Sequence, residues 1–378
     1  MNTRPTSKLY KNRACHFARI VRGASACARQ RFGRRRNSRL ILSLATALTA
    51  VTLCAAERRD ASPTLQFSIV PGAAEGGAVL GAGAMGAFDD AWVTCPTVVM
   101  EANGRHLMWY SSWFTPGYGE TGIGLATSAD GVRWTRARGS APVFRPGPAG
   151  AFDEGCVMGP EVLFDGSRYL MWYTGSTKLK HASGFFAYRI GVASSRDGIV
   201  WTRESDGRPV IDLGPAGSPD EVQAATPSVI RAGRGYRMWY AAWAPQPNHT
   251  ICVARSSDGI HWERENGGRS VEGLTPATAF GPAVCRLGDG YLMLFMSLDP
   301  RRALFAARSD DGLHWQMLND GAPVIVSSGD GHARHLVGHP ALQIDRGRLR
   351  AWTTGYDRRS GKLADWKLAI GLHEAVLP

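Results

Sequence analysis

The sequence predicts an all-β protein: a five-bladed β-propeller of four-stranded antiparallel blades, its ring closed by an N-terminal strand. Three observations carry this reading. A Met-Trp-Tyr element recurs about every sixty residues, at Met108-Trp109-Tyr110, Met171-Trp172-Tyr173 and Met238-Trp239-Tyr240, with altered copies at Met293-Leu294-Phe295 and Ala351-Trp352-Thr353. A short apolar run opened by proline precedes every copy: Pro96-Thr97-Val98-Val99, Pro160-Glu161-Val162-Leu163, Pro227-Ser228-Val229-Ile230, Pro282-Ala283-Val284-Cys285 and Pro340-Ala341-Leu342-Gln343. An Asp-Gly turn follows the first four copies, at Asp130-Gly131, Asp197-Gly198, Asp258-Gly259 and Asp311-Gly312, each with a Trp three residues after its Gly (Trp134, Trp201, Trp262, Trp315).

Each repeat reads as a meander. Proline lacks the ladder N–H and suits the opening of a strand, so the proline-led run is the first strand. A turn such as Asn103-Gly104 or Asp165-Gly166 leads into the Met-Trp-Tyr strand. A third strand follows, as in Ile123-Gly124-Leu125-Ala126, and the Asp-Gly hairpin leads into a fourth that begins at the Trp. One meander cannot bury both of its faces, and repetition around an axis solves that problem. The last repeat supplies strands near Pro340, Trp352 and Leu368-Ala369-Ile370 and no Asp-Gly turn, so its fourth strand has to come from elsewhere. Residues 77–90 align with 141–154, which assigns the segment Leu65 to Leu80 to that place.

The formal charge of +12 raises the possibility of a nucleic-acid partner, but its distribution excludes one. Residues 1–39 hold ten Arg, two Lys and no acid, leaving 32 basic and 32 acidic residues elsewhere. Residues 1–56 read as a leader with a signal peptide: the basic segment, an apolar stretch from Leu40 to Leu53, and Cys54-Ala55-Ala56 as a cleavage site. The stretch is short for a membrane span, and Leu53 before Cys54 disfavours lipidation. Export to the periplasm or medium is expected, an organelle transit sequence being the less favoured reading. Residues 57–378 then form the propeller. Its Cys95, Cys156, Cys252 and Cys285 have no metal-ligand spacing and read as core thiols. Neither metal nor other cofactor is expected, and the chain reads as a monomer.

Ligands of propellers sit at one mouth of the central channel, where the innermost strands begin. Seven and six residues before the proline stand Asp89-Asp90, Asp153-Glu154 and Asp220-Glu221 in blades one to three, against Thr275-Pro276 and Ala333-Arg334 in blades four and five. Asp89, Asp153 and Asp220 suit a turn-capping role and are also candidates for substrate contact. Asp90, Glu154 and Glu221 are candidates for a catalytic carboxylate cluster in which repulsion raises a pKa and makes a proton donor. The start of blade five adds Arg334, His335 and His339 as candidates for substrate hydroxyls or anions. Trp92 is a candidate sugar platform or a core residue. The Asp-Gly turns and the Met-Trp-Tyr stripe read as structural.

With its blade number and units such as Tyr188-Arg189-Ile190-Gly191-Val192-Ala193-Ser194-Ser195-Arg196-Asp197-Gly198-Ile199-Val200-Trp201, the chain from about residue 65 to 378 resembles the arabinanase/levansucrase/invertase-type propellers of glycoside hydrolase families 43, 32 and 68. The resemblance implies a glycoside hydrolase-like protein acting on or binding a carbohydrate in its central funnel. It also implies three carboxylates at the inner-strand starts of blades one to three. Those places hold Thr94-Cys95, Met158-Gly159 and Ala225-Thr226 here, so no residue of the family triad carries over. The alternatives are a non-catalytic carbohydrate-binding propeller and a lyase or isomerase that uses His335 or His339 as base. N-terminal sequencing of exported protein is expected to begin near Glu57; full-length chain retained in the cytoplasm would refute export.

Overall fold

A computed structural model describes residues 64–112, 122–139, 141–245, 248–276, 278–297, 303–345, 347–358 and 366–377. The leader expected at residues 1–56 lies outside them. Five four-stranded antiparallel sheets form the ring. Blade one is β2 (Thr94–Met100), β3 (His106–Ser112), β4 (Gly122–Ser128) and β5 (Thr135–Arg136). Blade two is β6 (Cys156–Phe164), β7 (Tyr169–Ser176), β8 (Arg189–Ser195) and β9 (Thr202–Arg203). Blade three is β10 (Gln223–Ala232), β11 (Gly235–Trp243), β12 (Thr250–Ser256) and β13 (Trp262–Arg264). Blade four is β14 (Ala279–Leu287), β15 (Gly290–Ser297), β16 (Ala303–Ser309) and β17 (Gln316–Met317). Blade five is β18 (Leu336–Asp345), β19 (Arg348–Arg358) and β20 (Trp366–Val376), with β1 (Ser68–Val70) paired antiparallel to β20 as the fourth strand of its sheet.

The repeated residues hold the blades to one another. The Met-Trp-Tyr tryptophans are fully buried, and each donates its indole N–H to the Gly carbonyl of the next blade's Asp-Gly turn: Trp109 to Gly198, Trp172 to Gly259, Trp239 to Gly312 and Trp352 to Gly131, at 2.8–3.0 Å. The turn's own Trp donates to the same carbonyl and packs edge-on against the visiting ring, as Trp201 does on Trp109 at 6.0 Å. Each turn is fixed by its Asp, whose Oδ1 accepts the N–H groups two and three residues on, for example those of Val132 and Arg133 on Asp130. The structural reading of these turns is thereby met.

The seam between blades four and five is built differently, because Leu294 replaces the Trp and blade five has no Asp-Gly turn. Leu65 fills it, buried among Leu292, Leu294 and Leu349. The Asn319 side-chain amide grips the Leu65 backbone from both sides, accepting its N–H and donating to its C=O at 2.8 Å each. Leu65→Ala is expected to cost about 2–5 kcal/mol and Asn319→Ala about 1 kcal/mol or more, both read by urea denaturation. Unchanged midpoints would mean that this segment does not hold the seam.

Candidate functional site

The innermost strands share one local device. Each breaks register once, between Thr94 and Thr97, Met158 and Glu161, Ala225 and Ser228, Phe280 and Ala283, and Gly338 and Ala341. At every break the residue before the proline is left-handed: Cys95 (φ 48°), Gly159 (54°), Thr226 (44°), Gly281 (57°) and His339 (42°). These five residues form a ring around the channel. A β-branched Thr in this conformation is strained, and neighbouring blades hold the ring in place. The N–H groups of Cys95, Gly159 and Thr226 are bound by Thr354 Oγ1, Ser111 Oγ and Thr174 Oγ1 of the preceding blade at 2.8–3.0 Å. The two glycines adopt the left-handed conformation without the steric cost that Cys95, Thr226 and His339 carry.

The channel has two different ends. Below the ring, towards the strand ends, all five inner strands enclose a chamber of about 520 Å³, within the size range of small-molecule sites. Above the ring, on the strand-start face, aromatic side chains run across three seams: Phe185 against Trp243 (4.6 Å), Trp243 against His249 (6.1 Å), His249 against Phe280 (5.4 Å) and Phe280 against His339 (5.6 Å). Phe185 is half exposed and His339 is buried at the ring, with Trp243, His249 and Phe280 partly exposed between them. Burial pushes His249 and His339 down to about 4, so both are neutral near pH 7 and present uncharged rings.

The acidic pairs do not meet in this channel. Asp89, Asp153 and Asp220 are fully buried inside their own blades. In each, Oδ2 accepts the Tyr hydroxyl of the Met-Trp-Tyr strand (Tyr110, Tyr173, Tyr240) at 2.8–3.0 Å and an Arg Nε from the fourth strand (Arg136, Arg203, Arg264) at 2.8–2.9 Å. These aspartates tie the incoming loop to the blade, and their surroundings leave no place for substrate contact. The capping role falls to the second acids instead: Asp90 Oδ2, Glu154 Oε2 and Glu221 Oε2 accept the N–H of Gly86, Gly150 and Gly217 at 2.6–2.9 Å. The cap expected of the first acid of each pair is thus made by the second, because the buried Tyr and Arg take the first and leave the short loop to be closed by its neighbour.

The other candidates are also dispersed. Trp92 is a core residue whose indole donates to the Trp366 carbonyl at 2.8 Å, so it offers no face to a sugar. Arg334 lines a depression with Glu75, His332, Asp357 and Lys367, and Asp90 lines another with Arg133, Trp134 and Arg136. His335 is exposed beside Asp357 at 3.5 Å. Of these candidates only His339 lines the channel. No group of three or more His, Cys, Asp or Glu placed to hold a metal ion occurs among the described residues.

Sequence reasoning missed Glu161, the one carboxylate among the described residues that line the lower chamber. It directly follows Pro160, where the other blades carry Thr97, Ser228, Ala283 and Ala341. Alignment of the five proline-led runs singles it out. Solvent in the channel reaches it, but protein walls it on every side, and this burial pushes its carboxyl up to about 7 despite hydrogen bonds from Val229 N–H and Thr97 Oγ1.

No family model matches the chain. It is 30% identical over 214 residues to the uncharacterized protein Rv1502 of Mycobacterium tuberculosis, a match covering 55% of this chain and 69% of that protein. Solved structures share the fold at low identity. An N-acetylgalactosamine deacetylase from F. plautii superposes with a TM-score of 0.60 at 16% identity, over 84% of this chain and 95% of its own. Zg3597, a family 117 glycoside hydrolase of Zobellia galactanivorans, gives 0.59 at 15%, over 83% and 91%. The Bombyx mori GH32 β-fructofuranosidase BmSUC1 gives 0.56 at 15%, over 75% and 59%. The resemblance to five-bladed glycoside hydrolase propellers thus holds at the level of fold. No helix among the described residues is long and apolar enough to cross a membrane.

Asp153→Asn is expected to cost roughly 1–3 kcal/mol by weakening the hold on Arg203, measured by urea denaturation; full stability would deny the aspartate its structural role. For Glu161 the folded carboxyl lies above its ordinary value of 4.5, so the folded state holds the proton more tightly than the unfolded chain. Its contribution is present below pH 4.5, is lost as pH rises to about 7, and is flat beyond. In Glu161→Gln this decline should disappear from the stability profile; parallel profiles for the two proteins would contradict the shift.

Proposed function

The chain belongs to the family of the Mycobacterium tuberculosis protein Rv1502, and from that premise we propose that it is an exported, glycoside hydrolase-like propeller that binds a carbohydrate in the funnel on its strand-start face. The observation that carries this reading is the aromatic run from Phe185 through Trp243, His249 and Phe280 to His339. Aromatic faces match the apolar faces of sugar rings, and neutral imidazole or indole N–H groups serve the hydroxyls at their edges. The Gln223 side chain stands at the start of an inner strand on the same face. The carbohydrate enzymes among the structural neighbours support the ligand class by analogy of fold.

Binding is favoured over two-carboxylate hydrolysis. Glycoside cleavage uses two carboxylates flanking one bond, and the family's positions hold Thr94-Cys95, Met158-Gly159 and Ala225-Thr226 here. Asp90, Glu154 and Glu221 already hold their own loops closed. A neutral oligosaccharide identified on a glycan array is expected to bind wild-type protein, and Trp243→Ala to weaken it about tenfold or more, the scale of a lost aromatic anchor. Glu154→Gln and Glu221→Gln should bind as wild type. Release of nitrophenol from aryl glycosides by the wild type, cut about a hundredfold in either Gln variant, would overturn this reading in favour of hydrolysis.

A further inference from the structure

The seams on either side of blade two and the seam after blade three are closed by one repeated bond. The side chain directly after the proline accepts the N–H two residues after the proline of the next blade: Thr97 Oγ1 from Val162 (3.3 Å), Glu161 Oε1 from Val229 (3.2 Å) and Ser228 Oγ from Val284 (2.9 Å). A neutral hydroxyl performs this task in blades one and three. The carboxylate in blade two is therefore chemically surplus to the seam, and it costs stability when ionised in so enclosed a place.

No cationic side chain stands within ion-pair distance of Glu161 among the described residues. Arg286, which also lines the chamber, carries its guanidinium over the Tyr291 ring at 4.5 Å. Away from Glu161 the chamber is walled by Val98, Val99, Leu163 and Ile230, and it ends at the strand ends beside Met100 and Phe164, which are 39% and 47% exposed. A charged acceptor at the inner end and an exit that is apolar on its Met100 and Phe164 side, with Arg286 turned onto Tyr291, describe a complementary guest.

We propose that the lower chamber is a second binding site, separate from the carbohydrate funnel, that takes a small primary alkylammonium ion with its head on Glu161 and its alkyl chain directed to Met100 and Phe164. The other titratable or charged groups lining the chamber are Cys95 on β2, Cys285 and Arg286 on β14, and His339 on β18; β10 contributes none. Burial holds both thiols at about 12 and His339 at about 4. Glu161, at about 7, is thus the chamber group that titrates between pH 5 and 9. An ammonium ion binds its ionised form, so affinity should rise from pH 5.5 to pH 8.

Calorimetry of the intact protein with n-hexylammonium chloride, and with 1-hexanol as the neutral counterpart, tests the site. Hexylammonium is expected to bind with hexanol at least about tenfold weaker, and Glu161→Gln, which keeps an acceptor for Val229, to weaken hexylammonium by at least about tenfold. Binding at pH 7 should release protons from the wild type, read as a dependence of the heat on the buffer's ionisation enthalpy. This readout, with the hexanol comparison, decides the matter even if the Gln variant does not fold. Equal affinity for the two probes, no proton release, undiminished binding by a folded Glu161→Gln or no binding by the wild type would each overturn the proposal.

Discussion

Most of this architecture depends on a hydrogen bond between a buried indole N–H in one blade and a glycine carbonyl in the next. A buried Trp leaves its N–H needing a partner, and a tight Asp-Gly turn has a carbonyl that no ladder can use. Joining the two satisfies both and fixes the angle between successive sheets. Four seams use this bond, through Trp109, Trp172, Trp239 and Trp352. Where Leu294 breaks the pattern, Asn319 and Leu65 supply an unrelated solution from a distant part of the chain.

With the blades set by these outer contacts, the inner strands are free to carry irregularity. All five turn left-handed at one level and place Cys95, Gly159, Thr226, Gly281 and His339 around the axis. That ring divides the channel into chemically distinct ends. The strand-start face offers aromatic rings, while the chamber below offers one carboxylate and apolar walls. Glu161 and the aromatic run lie on opposite sides of the ring, and the carboxylates on the aromatic side, Asp90, Glu154 and Glu221, close their own loops.

The repeat made the blades, their turns and the inter-blade tryptophans legible, because each requires a particular residue at a fixed offset. The acidic pairs were misread because position along the chain does not reveal which way a side chain faces. A clue was nonetheless present. Blades one to three, which have the Asp, also have the Tyr of the Met-Trp-Tyr element and an Arg two residues after the turn Trp: Tyr110 and Arg136, Tyr173 and Arg203, Tyr240 and Arg264. Blade four has Phe295 and Met317 and no Asp. Three residue types that come and go together are the mark of a buried hydrogen-bonded unit. The aromatic run was not legible, since Phe185, Trp243, His249 and Phe280 occupy different offsets in different blades and meet only when the ring forms. Glu161 was visible as a departure among five aligned prolines, but its significance depends on an enclosure that the sequence does not display.

The central claim is that the ligand engages the aromatic run rather than the capping carboxylates of the acidic loops on the same face. A crystal structure of the protein soaked with a bound oligosaccharide tests it most directly. The account predicts sugar rings against Trp243, His249 and Phe280, with His339 at the deepest point. A sugar seated over Asp90, Glu154 and Glu221, with either glutamate within hydrogen-bond reach of a glycosidic oxygen, would contradict it.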